Sequence, residues 1–202
     1  AVSARFGADG IVARSSAGDV QVQTSSDIDV YAGLGNARGI YASSGQANVV
    51  VENDGDIAAA SAYSDAIGII GFGQVSDTGT RLVSITNLGD IEVMSGGASA
   101  TGIAASGHLV GVVNRGDIET DSITNSTGIS AGGRTLQVTN TGSIVSLSAS
   151  TAIGISAYSG LGTQITNQGS IYASGDSRAV GVWMRGAAST LTNSGVIRVH
   201  GP

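Results

Sequence analysis

One stretch of the sequence, Val112-Val113-Asn114-Arg115-Gly116-Asp117-Ile118, recurs in altered form along the whole 202-residue chain. Apolar and polar residues alternate around its Asn, which is the period of a β-strand. Gly stands two residues after the Asn and Ile four residues after it, while Thr24, Ser26 and Ile28 form a degenerate first copy. The Asn of the other copies is Asn53, Asn87, Asn114, Asn140, Asn167 or Asn193.

A second mark, Gly followed by Ile or Val, falls between these copies at intervals of 26 to 34 residues. It occurs at Gly10, Gly39, Gly68, Gly102, Gly128, Gly154 and Gly181. A repeat of this length, built from short strands, cannot bury its apolar face alone, so successive repeats must stack. We therefore predict one all-β domain over residues 1–202, a right-handed parallel β-helix (β-solenoid) of about seven rungs.

Stacking at about 4.8 Å per layer places the six Asn side chains in a structural ladder of amide hydrogen bonds. The Gly two residues after each Asn is expected to adopt a positive φ. One copy is longer than the rest, with 19 residues from Gly68 to Asn87 where the others have 12 to 14. The extra residues, near Gln74 to Arg81, are predicted to project from the rod as a loop.

The composition narrows the classes of partner. Nine Arg, no Lys and fifteen carboxylates give a net charge of −6, which argues against nucleic acid because phosphate binding needs clustered positive charge. No Cys is present, so disulfides and thiolate metal sites are excluded. No run of 18 apolar residues occurs, and no membrane span is expected. We predict no cofactor.

Seven carboxylates fall at two repeat positions, three and five residues after the Asn or its equivalent. They define what we call the acidic stripe: Asp27, Asp29, Asp56, Asp90, Glu92, Asp117 and Glu119. Stacked carboxylates attract Ca²⁺ in some proteins, but no EF-hand loop or calcium-binding nonapeptide is present. We interpret the stripe as a solvated acidic face, with weak cation binding as the alternative, and predict no metal site.

The sequence offers few candidates for chemistry. Gly128 to Gly132 matches the nucleophile-elbow pattern, but Ser130 is only one outward residue of the repeat and no helix follows, so we predict no catalytic residue. The binding candidates rest on three observations. Arg115-Gly116-Asp117 matches an integrin-binding tripeptide or is a chance match at a turn, and Trp183 suits either sugar stacking or plugging of the solenoid end. Two further candidates, Asp77 and Arg81, lie in the predicted loop.

The cycle of Thr-Gly-Ile and Val-x-Asn-x-Gly-x-Ile resembles passenger domains of Gram-negative autotransporters, the type V secretion family. Thr101-Gly102-Ile103, Thr127-Gly128-Ile129 and Val138-Thr139-Asn140-Thr141-Gly142-Ser143-Ile144 carry the resemblance. It implies a secreted or surface-displayed segment of a longer passenger, with a role in adhesion, autoaggregation, biofilm formation or virulence. Its implied partners are glycans or proteins of host or bacterial surfaces, or a second copy of the chain.

Two other functions compete with this interpretation. One is a β-helical lyase or hydrolase acting on polysaccharide, which needs clustered carboxylates with a positioned base or cation. The acidic stripe supplies carboxylates only at repeat positions, so we predict that the chain is not an enzyme. The other is a purely structural spacer, and the sequence alone leaves the choice between adhesin and spacer open.

Overall fold

The chain is wound into stacked circuits of parallel β-strand, which confirms the predicted β-solenoid. The computed structural model describes residues 1–74 and 81–202, and all regular elements in these ranges are strands. In chain order they are β1 (Val2–Ala4), β2 (Ala8–Ser15), β3 (Val20–Thr24), β4 (Ile28–Ala32), β5 (Ala37–Ser44), β6 (Val49–Asn53), β7 (Ile57–Ser61), β8 (Ala66–Gly73), β9 (Leu82–Asn87), β10 (Ile91–Ser95), β11 (Ser99–Asn114), β12 (Ile118–Ser122), β13 (Asn125–Asn140), β14 (Ser143–Ser148), β15 (Thr151–Asn167), β16 (Ser170–Gly175), β17 (Arg178–Arg185), β18 (Ala188–Asn193) and β19 (Val196–His200).

Each rung passes through three faces in a fixed order. The first face consists of β2, β5, β8, the first halves of β11, β13 and β15, and β17; the second consists of β3, β6, β9, the second halves of the same long strands, and β18. The third face is the eight-stranded sheet β1-β4-β7-β10-β12-β14-β16-β19. Seven rungs follow β1, as predicted.

Equivalent residues of successive rungs lie directly over one another. On the third face, the register pairs Ile57 with Ile91, then Ile118, Ile144 and Ile171 in turn. All of these side chains are at most 1% exposed. The predicted inward positions therefore form a single core that runs along the rod.

The Gly-Ile mark of the first face lies within the strand and is an irregularity in its burial pattern. Gly102 and Ile103 are both buried, which interrupts the alternation of inward and outward residues. A Cβ at Gly102 would lie closer than 3.0 Å to the Ile118 side chain and 2.6 Å from the Gly128 carbonyl oxygen. The absence of a side chain here lets the third-face Ile pack across the core against the backbone.

The expectation of a positive φ at the Gly two residues after each Asn is wrong. No described residue, Gly or other, has a positive φ. Gly is required instead by the distance between rungs: a Cβ on Gly116 would overlap the carbonyl oxygen of Gly89, and one on Gly142 would overlap that of Gly116. Close backbone approach, not local conformation, therefore accounts for this Gly.

The predicted projecting loop falls mostly outside the described residues. Strand β8 ends at Gly73 and β9 begins at Leu82, while residues 75–80, which include Asp77, are not described. On the C-terminal side of this gap, the Arg81 carbonyl oxygen accepts a hydrogen bond of 2.9 Å from the Leu109 amide. The Arg81 guanidinium donates to the Gly45 carbonyl oxygen over 3.1 Å.

The backbone approach at Gly116 predicts that Gly116→Ala lowers the free energy of unfolding by about 1–3 kcal/mol, because the added methyl group overpacks the stack. Gly111→Ala is the matched control, since a Cβ there meets nothing within 4 Å. Guanidinium unfolding followed by circular dichroism measures both midpoints. Equal midpoints for the two variants would contradict the steric argument.

Candidate functional site

The six Asn side chains form one continuous ladder inside the rod. The Asn53 Nδ2 donates to the Asn87 Oδ1 over 2.8 Å, and the same bond recurs at every later step over 2.7 to 3.0 Å. Each Nδ2 also donates to the carbonyl oxygen of the Gly two residues on. Five of the six side chains are fully buried, so the ladder is structural and offers nothing to a ligand.

The ladder breaks at its N-terminal end. Thr24 occupies the ladder position of the first rung, in register with Asn53. The Thr24 hydroxyl is directed to the Ser26 backbone at 3.4 Å. As a result, the buried Asn53 Oδ1 has no hydrogen-bond partner among the described residues. An unsatisfied buried acceptor of this kind reduces stability.

The acidic stripe lies on the outside of the rod, at the corner before the third face and on that face itself. All seven of its carboxylates line one groove of about 540 Å³. On the third face Glu92 and Glu119 are direct neighbours, while Ala58 separates Glu92 from Asp29. In the parts of the chain that the structure describes, no group of three or more His, Cys, Asp or Glu residues has a geometry suited to a metal ion.

Four carboxylates of the acidic stripe have a structural role that the sequence analysis missed. The Asp56 amide donates to Asp27, the Asp90 amide to Asp56, and the Asp117 amide to Asp90. The series ends where the Ser143 amide donates to Asp117 over 2.9 Å. Each carboxylate therefore caps the backbone of the following rung.

The capping arrangement recurs at other corners of the rod. Asp19 accepts from the Asn48 amide, and Asp65 accepts from the Ser99 amide. A short polar acceptor at the same corner position in adjacent repeats is the sequence signal that could have revealed it.

The Arg115-Gly116-Asp117 tripeptide lies at the corner between β11 and β12. Arg115 and Asp117 are exposed, but Gly116 is buried in the backbone stack. One oxygen of the Asp117 carboxylate is already bonded to the following rung. The tripeptide is thus part of a packed corner, and its binding to a receptor stays a prediction.

A shallow valley of about 360 Å³ lies on the outer surface of the first face. We call it the first-face valley. Phe72 closes one end and Tyr158 the other, and both rings are about half exposed. On the two rungs between these rings the floor carries only short side chains. Its lining residues are Ile70, Gly71, Phe72, Ala104, Ala105, Ser106, Ser130, Ala131, Gly132, Ser156 and Tyr158.

Trp183 lies one rung beyond this valley, on β17. It stands in register with Ser156, points outward from β17 and is 36% exposed. The sugar-stacking interpretation is therefore sterically open to Trp183, whereas the plugging interpretation does not describe its position. Tyr158 was missed by sequence reasoning; the signal was a bulky residue that follows Ser106 and Gly132 in one repeat column.

Arginine side chains accompany the aromatic rings of the first face. Arg14 and Arg38 lie over the Tyr41 ring, 4.5 and 4.9 Å from its centroid, and Arg185 lies 5.9 Å from that of Tyr158. These are distances at which cation–π attraction contributes. Within residues 1–74 and 81–202, the one ion pair joins Arg38 to Asp9, which leaves Arg14 and Arg185 unpaired.

No family model matches the sequence, and comparisons with curated proteins and with solved structures found no significant match either. In the described ranges there is no helix that is long and apolar enough to cross a membrane. The function must therefore be argued from the surfaces of the rod.

The unsatisfied Asn53 Oδ1 predicts that Thr24→Asn raises the free energy of unfolding by about 1 kcal/mol, because the new amide donates to this oxygen and extends the ladder. Thr24→Val is the control, since it removes the hydroxyl without supplying a donor. Chemical denaturation compares the two variants with the parent protein. A Thr24→Asn variant no more stable than Thr24→Val would refute the ladder argument.

The carboxylate caps predict opposite effects for two substitutions of one residue. Asp90→Ala removes the acceptor of the Asp117 amide and should lower the free energy of unfolding by about 1 kcal/mol. Asp90→Asn keeps an acceptor and removes a repelling charge, so it should be at least as stable as the parent.

Glu92→Ala serves as control for the Asp90 variants, because Glu92 lies in the same groove and caps no amide of residues 1–74 or 81–202. Thermal unfolding at low salt measures all three proteins. The capping role is wrong if Asp90→Ala and Glu92→Ala behave alike.

Proposed function

We propose that this chain is a segment of an autotransporter-like passenger domain, secreted or displayed on a bacterial surface, which mediates adhesion, autoaggregation or biofilm formation. The observation that carries the proposal is that the interior of the rod is structural, whereas its outer surface carries repeated polar side chains. The interior is filled by the Ile and Val core and the Asn ladder. The polar groups that a partner can contact lie in outward rows of side chains, which repeat from rung to rung.

Repetition makes such rows suitable for multivalent contact. On the second face, Thr139 stands in register with Thr166 and Thr192, and Gln137 with Gln164. Each hydroxyl or amide offers one weak hydrogen-bonding contact at intervals of about 4.8 Å. Several weak contacts on one rigid rod add up to an avidity well above that of any single contact.

We also propose that the chain is not an enzyme. The acidic stripe is where acid–base chemistry on a polysaccharide would have to lie, since it holds the clustered carboxylates. Four of these carboxylates already accept backbone amides as caps, as described above. The chain's two His residues stand apart from the acidic stripe: His108 lies in β11 and His200 in β19.

An adhesive role predicts that microspheres coated with the purified 202-residue protein aggregate or bind to bacterial or host cells, while microspheres coated with an unrelated protein of similar charge do not. Flow cytometry and light microscopy measure both effects. If the coated microspheres neither aggregate nor bind any cell type, the adhesive role is wrong and the structural spacer is the better interpretation.

The same preparation tests the enzyme alternative. Incubation with polygalacturonate and with neutral polysaccharides should release neither reducing ends nor unsaturated products. Release of either that persists after further purification would overturn the proposal that the chain is not an enzyme.

A further inference from the structure

We infer that the first-face valley binds a short oligosaccharide that carries carboxylate groups. The inference rests on the proposed adhesive function and deepens it, because it names the ligand class and the residues. Three independent features of the valley support it: the spacing of its aromatic rings, its free hydroxyl groups, and the charge of the face on which it lies.

The aromatic rings are spaced along the rod. Phe72, Ser106, Gly132 and Tyr158 occupy one outward column on successive rungs. The two rings are therefore three rungs apart, or roughly 14 Å at 4.8 Å per rung. Between them the floor is low because Ser106 and Gly132 are small. A chain of sugar rings can lie along this floor, with a ring at each end packed against an aromatic face.

Hydroxyl groups line the length of the same valley. Ala104, Ser130 and Ser156 follow Ile70 in the adjacent column, beside Ser106. The hydroxyls of Ser106, Ser130 and Ser156 line the valley, are not fully buried, and have no hydrogen-bond partner among the described residues. A hydroxyl both donates and accepts. These groups therefore match the mixed donors and acceptors of a sugar, which an extended apolar peptide would leave unsatisfied.

The charge of the first face selects an anionic ligand. Its strands contain Arg14, Arg38, Arg178 and Arg185 and one carboxylate, Asp9, which is paired with Arg38. The corner before these strands adds Arg5, Asp65 and Asp176, so the first face with its corner carries an excess of positive charge. The acidic stripe, with seven carboxylates, belongs to the third face and its corner. An anionic chain is thus attracted to the first face and repelled by the third, which sets where it binds.

Isothermal titration of the parent protein with oligogalacturonate and hyaluronan tetrasaccharides tests the ligand class, with cellotetraose as the neutral counterpart. At least one charged probe should bind, with an affinity that falls as salt is added and exceeds that of cellotetraose at least tenfold. Binding of none of the probes, or equal binding of charged and neutral probes, would overturn the inference.

Substitutions test the location. Phe72→Ala and Tyr158→Ala should each lower the affinity about tenfold, and Arg185→Gln should reduce both the affinity and its salt dependence. The matched controls lie on the third face: Tyr172→Ala removes an exposed ring and Arg198→Gln an exposed charge. Equal losses in valley and control variants would place the site elsewhere.

The microsphere assay separates this inference from the proposed function. If coated microspheres adhere but the Tyr158→Ala variant adheres equally well and no charged probe binds, the adhesive function stands and the valley does not. If the parent protein binds a charged probe but microspheres neither aggregate nor adhere, the valley stands and the adhesive function fails.

Discussion

The hydrogen bonds between parallel strands hold successive rungs at a distance of about 4.8 Å, and the rest of the structure depends on that spacing. Since the register has no shift at the third-face Ile positions, each residue type meets its own copy above and below. A side chain is retained only if it tolerates this self-contact. Ile stacks favourably on Ile, Asn pairs its amide with the next Asn, and Gly116 lies under Gly89 because no larger residue fits.

The same spacing explains how most buried polar groups of the rod are satisfied, although the described residues contain no helix and the chain contains no Cys. An amide has two donor hydrogens and an acceptor, so one Asn can bond to both the next Asn and its own corner backbone. At the outer corners Asp19, Asp56 and Asp65 extend this solution to the surface by accepting the amide of the following rung. Carboxylates that are expected to repel one another are thereby built into the stack as caps.

Much of the fold follows from periodicity alone. The inward positions, the number of rungs and the stacking of equivalent residues were all predictable, because the same pattern of apolar and polar residues occurs in seven copies. The role of the Gly after Asn was not, since local sequence does not distinguish a positive φ from a close backbone approach. The Asp caps and the first-face valley also escaped prediction, because they depend on which residues of different rungs are neighbours.

The fold constrains the residue types of the outward columns least. A change of residue type within one of these columns therefore indicates where to look for a binding site. In one column of the first face, Ala104, Ser130 and Ser156 separate the bulky Ile70 from the bulky Trp183. A change of this kind gains nothing for the core, since Trp183 faces outward and remains partly exposed. Trp183 is therefore a candidate contact for a partner, in line with the proposed adhesive function.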